Sequence, residues 1–315
     1  MIKPTVAITL GDPTGIGPEI VKKAVSDKSV LKICNPVVVG TSRVGSPATA
    51  DSQPVAKENF TSGKPSQKSD KASISFLIRA LKLVKNKKVD AIVTAPVSKS
   101  AFTCPTNPVG RVCLTGLCRR GGIGGHTEFF AKNFNVKNVE MLMVADDKKA
   151  LLLTRHIPLK DVSKKISIKK IVKSTLFVCD FLKKKYDIKK PKIIVCGLNP
   201  HCGDNGLVGA EEKEKIIPAI KILIKKGFDV SGPVNSEVAF KKKSDLIVCM
   251  YHDQAMLPLK LLNPNKIVNV TIGLPFIRTS PGHGTAYNIA GKNKANPRPM
   301  IEAIKLAALL TKSKK

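Results

Sequence analysis

The chain has 315 residues, 43% of them hydrophobic but only 4% aromatic, and its 54 Lys and Arg against 23 Asp and Glu leave a formal charge of +31. That length favours two domains over one, and so aliphatic a core suits an α/β protein with buried Val, Ile and Leu strands. No apolar run approaches the roughly 18 residues needed to cross a bilayer, which excludes a membrane-spanning helix.

The first segment, MIKPTVAITLGDP, reads as a strand with no signal peptide before it. GPEIVKKAVS follows as a helix and NPVVVGT as a strand. From Ser42 to Lys68 the chain is rich in Ser, Pro, Lys and Gly and reads as loop. A helix is predicted through SISFLIRALKLVKN, then the strand VDAIVTAP, then an irregular stretch from Ser100 to Gly125. TEFFAKNF reads as helix, VEMLMVAD and ALLLTRH as strands, and about Asp161 to Lys185 as one long amphipathic helix. The strand KIIVCGLN, the helix EEKEKIIPAIKILIKK and the strands DLIVCMYHD and IVNVTIGL follow, before a last helix in RPMIEAIKLAALLTK. Such alternation predicts an α/β fold with a largely parallel sheet, any second domain being an insertion in the middle of the chain.

The positive charge admits a nucleic-acid reading, but KKISIKKIVK and FLKKKYDIKK put lysines between core residues at helical spacing. Aromatics for base stacking are sparse, so solvated lysine faces are preferred and nucleic acid is disfavoured as a partner. Cys34, Cys179, Cys196 and Cys249 sit inside apolar segments, which fits reduced thiols and a cytoplasmic setting. Cys104, Cys113 and Cys118 share a loop without a C-x-x-C pair, so a zinc knuckle is disfavoured.

In open α/β sheets ligands bind beyond the carboxyl ends of strands. There are five histidines, and three of them, His156, His201 and His252, follow apolar strands. Neutral imidazoles converging there could hold a divalent cation with positions left open for substrate. His126 and Thr127 begin a helical run, read either as simple capping or as an anion site built on free first-turn N–H groups. Lys260 and Arg278 offer positive charge for phosphate, and VNVTIGLPFI is read as a strand ending in Arg278. There is no G-x-G-x-x-G, no P-loop and no G-x-S-x-G elbow, so a dinucleotide would need another device. The polar loop HGTAYNIAGKNKANP, ahead of the last helix, is too particular for a spacer.

Together, ITLGDPTGIGPEI, AIVTAPVSK, GHTEFFA, LLLTRHIPLKDV, GLNPHCGDNGLVGAEE, YHDQAMLPLK and VNVTIGLPFIRTSPGHGTAYNIAGKNKANP resemble the 4-hydroxythreonine-4-phosphate dehydrogenase family of pyridoxal phosphate biosynthesis. The resemblance implies a fold like that of isocitrate and isopropylmalate dehydrogenases, two α/β domains with a cleft between them. Residues 1–122 and 264–315 would form the cofactor side, and 123–263 a central metal, substrate and dimerisation domain. It implies metal ligands at His156, His201 and His252, and substrate contacts at His126, Thr127, Lys260, Asn269 and Arg278. The opening of the last loop would wrap the adenosine of NAD, or of NADP, through His283, Gly284, Thr285, Ala286 and Asn296. A divalent ion (Zn, Mg or Co), a small phosphorylated hydroxy acid and a homodimer with shared sites complete the implied partners. Asp253 and Lys99 are candidates for the general base by position only. Two positions depart from the family pattern: Glu237 stands near an expected Asp, and Gly282 where Asp is common. The implied reaction is metal-assisted hydride transfer from 4-phosphohydroxythreonine, with 4-phosphoerythronate or 4-phosphothreonate as the alternative substrate.

Overall fold

The computed structural model describes residues 2–40, 60–102 and 125–312. In chain order the elements are β1 (Thr5–Thr9), α1 (Gly17–Val25), α2 (Lys28–Ile33), β2 (Asn35–Val39), α3 (Gln67–Lys85), β3 (Ala91–Thr94), α4 (His126–Asn133), β4 (Glu140–Ala145) and β5 (Lys148–Leu152). There follow α5 (Val162–Lys165), α6 (Ile168–Tyr186), β6 (Lys192–Cys196), α7 (Ile217–Lys225), β7 (Asp229–Val234), α8 (Ser236–Lys241), β8 (Leu246–Cys249), α9 (His252–Leu262), β9 (Val268–Ile272), β10 (Ile277–Pro281) and α10 (Arg298–Lys312).

These elements form two compact units, Met1–Val139 with Gly273–Lys312, and Glu140–Ile272. In the first, β1 pairs in parallel with β2 and β3, and β3 with β10. Strands β1 and β3 are buried and mostly aliphatic, and α10, which packs on β10, buries Met300, Ile304 and Ala307 at helical spacing. Gly17 lets α1 start close under β1: a Cβ there would lie 2.0 Å from the Leu10 carbonyl oxygen.

In the second unit β5, β8, β6 and β7 run parallel, while β4 is antiparallel to both β5 and β9. The cause is local. Ala145 pairs with Lys148, so only Asp146 and Asp147 join β4 to β5, and so tight a turn permits only antiparallel strands. Asp146 supplies the left-handed conformation the turn needs, at φ 51°. Behind the sheet, α6 buries Ile171, Val178 and Leu182 and leaves Lys169, Lys183 and Lys184 exposed, the solvated-face arrangement.

Several elements differ from the sequence reading for identifiable reasons. Helix α3 begins at Gln67, inside the stretch read as loop, because Ser66 and Ser69 form a reciprocal capping box. The long helix from Asp161 is broken: Ile166 is extended and Ser167 caps a fresh start by accepting from the Lys170 N–H. Strand β7 was hidden by its Gly232-Pro233 pair, which reads as a turn but is tolerated where β7 ends the strand order of its unit. The residues after β8 turn directly into α9, so His252 lies in a first helical turn and not in a strand. The apolar run before Arg278 is two strands, parted at Gly273 with φ 103°. Arg278 therefore lies within β10 and not at a strand end. Cys104, Cys113 and Cys118 fall outside the described residues.

Candidate active site

Strands β5 and β6 flank β8 in parallel register, so the segments bearing His156, His201 and His252 all leave the carboxyl ends of adjacent strands in the second unit. The rings of His156 and His252 lie 5.7 Å apart by centroid. Asp253 Oδ1 is 2.6 Å from His252 Nδ1, which leaves Nε2 to face a ligand. Carboxylate orientation of a ligating imidazole is the usual arrangement around a bound metal. His201 is exposed on a loop whose residues 201, 202, 204 and 205 are all left-handed. It lines a cavity of about 340 Å³ with Asn199, Asn235, Glu237, Tyr251 and Gln254. Among the described residues no three His, Cys, Asp or Glu side chains gather closely enough to hold a metal ion. The donors thus fit a divalent ion in part: His156 and His252 come together, and His201 stands apart from them.

The His201 loop is held by carboxylates. Glu212, 2% exposed, accepts the N–H groups of Leu198 and Asn199 through Oε1 and the Asn199 amide through Oε2, at 2.7–2.8 Å. Glu211 also takes the Asn199 amide, and it accepts from the Ser163 hydroxyl, which with Asn199 holds its carboxyl down at about 2. In the same unit Lys260 is exposed on α9. Asn269 pairs across from Met143, its Oδ1 buried without a hydrogen-bond partner.

The first unit gathers a different set. Arg278 is 1% exposed, donates from Nη2 to Thr94 Oγ1 and lies 5.9 Å over the Phe130 ring. Burial lowers its pKa to about 9, with Glu128 acting in the opposite sense. His126 and the buried Thr127 open α4, where Glu128 accepts from the Gly125 N–H. The His126 Nε2 is buried with no hydrogen-bond partner, and its ring meets Phe102 edge-on at 5.2 Å. Burial, then the Arg278 charge, pushes the His126 pKa well below 6.5. A buried guanidinium beside a helix start is suited to an anion.

The His126 shift has a measurable consequence. Because the folded pKa lies below the unfolded one, the unfolded chain binds the proton more readily. The stabilisation is complete above pH 6.5 and is lost as the pH falls below that value toward the folded pKa. The thermal midpoint of the protein is expected to fall between about pH 6.5 and 5 more steeply than that of His126→Asn. Equal slopes in the two proteins would refute the assignment.

The loop from His283 to Pro297 is anchored at both ends within the first unit. Thr285 accepts from the Ile16 N–H at 2.9 Å, and the Tyr287 hydroxyl donates to Asp12 Oδ2 at 2.6 Å. Asp12, fully buried, also accepts from the N–H and hydroxyl of Thr14. Further on, Glu19 accepts from the Ala295 N–H, and Lys23 donates to Glu19 and to the Ala295 carbonyl. Gly284 is exposed, His283 Nδ1 lies 3.1 Å from the Gly284 carbonyl, and Ala286 is left-handed at φ 43°. Asn296 Oδ1 accepts from the Arg298 N–H at the start of α10, a structural task. Such a loop, fixed at its ends with an open glycine, fits a dinucleotide site that lacks the glycine fingerprint. Lys99 is exposed after β3 in the first unit, whereas Asp253 belongs to the second.

Residues 18–307 match the family model described as "Pyridoxal phosphate biosynthetic protein PdxA". The chain belongs to the PdxA family. A 4-hydroxythreonine-4-phosphate dehydrogenase from Sulfurihydrogenibium sp. is 38% identical, covering 98% of this chain and 99% of its own. A D-threonate 4-phosphate dehydrogenase from Cupriavidus necator is 37% identical over 98% of this chain and 97% of its own. The crystal structure of the 4-hydroxythreonine-4-phosphate dehydrogenase from Klebsiella pneumoniae superposes with a TM-score of 0.80 at 30% identity, covering 98% of this chain and 100% of that one. PdxA membership makes the chain a dehydrogenase acting on a CH–OH group.

Within this PdxA-family chain, the sequence gives no role to Asp12, Glu212 or Gln254. Asp12 was visible as the acidic residue of GDPTG, and Glu212 as the second Glu of GAEE. Gln254 was visible only as a polar residue after His252 and Asp253, because its partner Gly197 lies in another segment.

Proposed function

We propose that the protein oxidises 4-phosphohydroxy-L-threonine with NAD to 2-amino-3-oxo-4-phosphooxybutanoate, which loses CO2 to give 3-amino-2-oxopropyl phosphate on the route to pyridoxal 5'-phosphate. The observation that carries this reading is the buried Arg278 beside His126, a place for an anionic group in a chain of the PdxA family. His126, Thr127 and Arg278 would hold the anionic groups of the substrate, with Lys260 and Asn269 as further contacts. His283, Gly284, Thr285, Ala286 and Asn296 would receive the adenosine part of NAD, on a loop that Asp12 and Glu19 keep in place. Bound there, NAD supplies the hydride acceptor. His156 and His252 would hold a divalent ion, with His201 as the third donor. Such an ion supplies Lewis-acid polarisation of the substrate hydroxyl. Asp253, through its contact with His252, would keep that imidazole oriented, which leaves Lys99 as the candidate base. A second copy of the chain would cover Leu257, Leu261 and Leu262, which are 62%, 76% and 55% exposed on α9.

A second reading is favoured by the Cupriavidus relative: oxidation of 4-phosphothreonate or 4-phosphoerythronate by the same residues. One assay decides between them. The protein is incubated with NAD, Zn²⁺, Mg²⁺ or Co²⁺, and each substrate, and absorbance follows NADH. NADH is expected from 4-phosphohydroxythreonine and is expected to vanish with a chelator or in His201→Ala. Absence of NADH from every substrate would end the dehydrogenase reading, and preference for the sugar-acid phosphates would promote the second. A sedimentation mass of 33.9 kDa, that of one chain, would remove the homodimer.

A further inference from the structure

We propose that Gln254 is a positioning residue whose amide ties the turn carrying His252 to the loop carrying His201. Gln254 is 8% exposed, on the first turn of α9. Its Oε1 accepts from the Met250 N–H at 2.7 Å, and its Nε2 donates to the Gly197 carbonyl at 2.7 Å. Met250 directly follows β8, just ahead of His252, and Gly197 opens the loop that leads to His201. The Met250 carbonyl in turn accepts from the Thr154 hydroxyl at 2.6 Å and from its N–H at 3.2 Å. Thr154 lies on the segment that ends in His156. One side chain thus stands at the centre of a network joining all three histidine-bearing strand ends, and it borders the cavity that His201 lines.

The chemistry suits an amide in particular. Gln presents one acceptor and one donor at a fixed separation, so it meets an N–H on one side and a C=O on the other. Carboxylate can accept from Met250 but has no proton for Gly197. An apolar side chain strands both backbone groups away from water. Glu212 holds the next residues, Leu198 and Asn199, so the His201 loop is fastened on two sides. The inference rests on the proposed use of these histidines as one site.

The test compares metal-free protein with labelled histidines, read by NMR, in wild type, Gln254→Met, Gln254→Glu and the core control Ile171→Val on α6. In Gln254→Met the His201 and His252 signals are both expected to move. In Gln254→Glu, which keeps the acceptor for Met250, the His201 signal is expected to move more than that of His252. Ile171→Val should leave both in place. His201 signals unmoved in either Gln254 variant would overturn the proposal. A Co²⁺ titration adds the consequence for binding: affinity about 10- to 100-fold weaker in Gln254→Met, the usual scale for a lost supporting contact, and unchanged in Ile171→Val. Wild-type protein that takes up no Co²⁺ would defeat the metal reading alone, because the NMR comparison still decides the role of Gln254.

Discussion

Replacing Arg278 by Met is expected to cut kcat/KM for a phosphorylated hydroxy acid by roughly 30-fold to several thousand-fold. That range corresponds to losing about 2–5 kcal/mol when one partner of a buried charge pair is removed. The guanidinium is almost wholly buried, and burial lowers its pKa to about 9, so the folded protein holds a charge that it would rather not bury. Removing it relieves that cost while losing the hydrogen bond to Thr94 and the contact with the Phe130 ring. The two effects oppose, and the thermal midpoint should move by no more than about 4 °C, the scale of one kcal/mol in a unit of this size. Ligand response should differ more. Inorganic phosphate at about one hundred times its Kd stabilises a binding protein by about 2.7 kcal/mol. The wild-type midpoint should then rise by roughly 5–10 °C and that of Arg278→Met should not. Unchanged turnover and an unchanged phosphate response in the variant would remove Arg278 from the anion site.

Glu212→Ala is expected to destabilise the second unit by about 3–5 kcal/mol. The carboxylate, itself 2% exposed, accepts the Leu198 and Asn199 N–H groups and the Asn199 amide. Each buried donor left without an acceptor costs about 1–3 kcal/mol. Gln is no substitute, because its NH2 group would face donors where the carboxylate presents an acceptor. Calorimetry should find the midpoint lowered by roughly 6–20 °C at 2–4 °C per kcal/mol. His201 should lose its left-handed placement with it, since Gly203 and Gly197 both crowd against Glu212. A midpoint within about 2 °C of wild type would mean that the loop is held by other contacts.

The three histidines were legible because each follows a run of buried aliphatic residues, and a run of that kind both makes a strand and says where it ends. His126 and Thr127 were legible as a helix start for a similarly local reason. Arg278 is legible as a cation after an apolar segment, but its place inside β10 is not. Gly273 and Pro275 fall inside a mostly apolar segment that reads as one strand, and only the pairing of β10 with β3 shows that two strands are present. The start of α3 is not legible because its capping box uses Ser69 where a Glu or Gln is the familiar partner.

By itself, the sequence determined whatever depends on neighbours in the chain: the aliphatic strands, their alternation with helices, the lysine faces and the motifs that place the chain in its family. These follow from side-chain periodicity and from the backbone limits of Gly and Pro. Tertiary structure alone decided which buried groups meet. Gln254 reaches Gly197, Tyr287 reaches Asp12 and Arg278 reaches Thr94 across long stretches of chain. A buried hydrogen bond needs both partners at a fixed distance and angle. The folded path of the chain sets that geometry, and the order of residues along it does not display it.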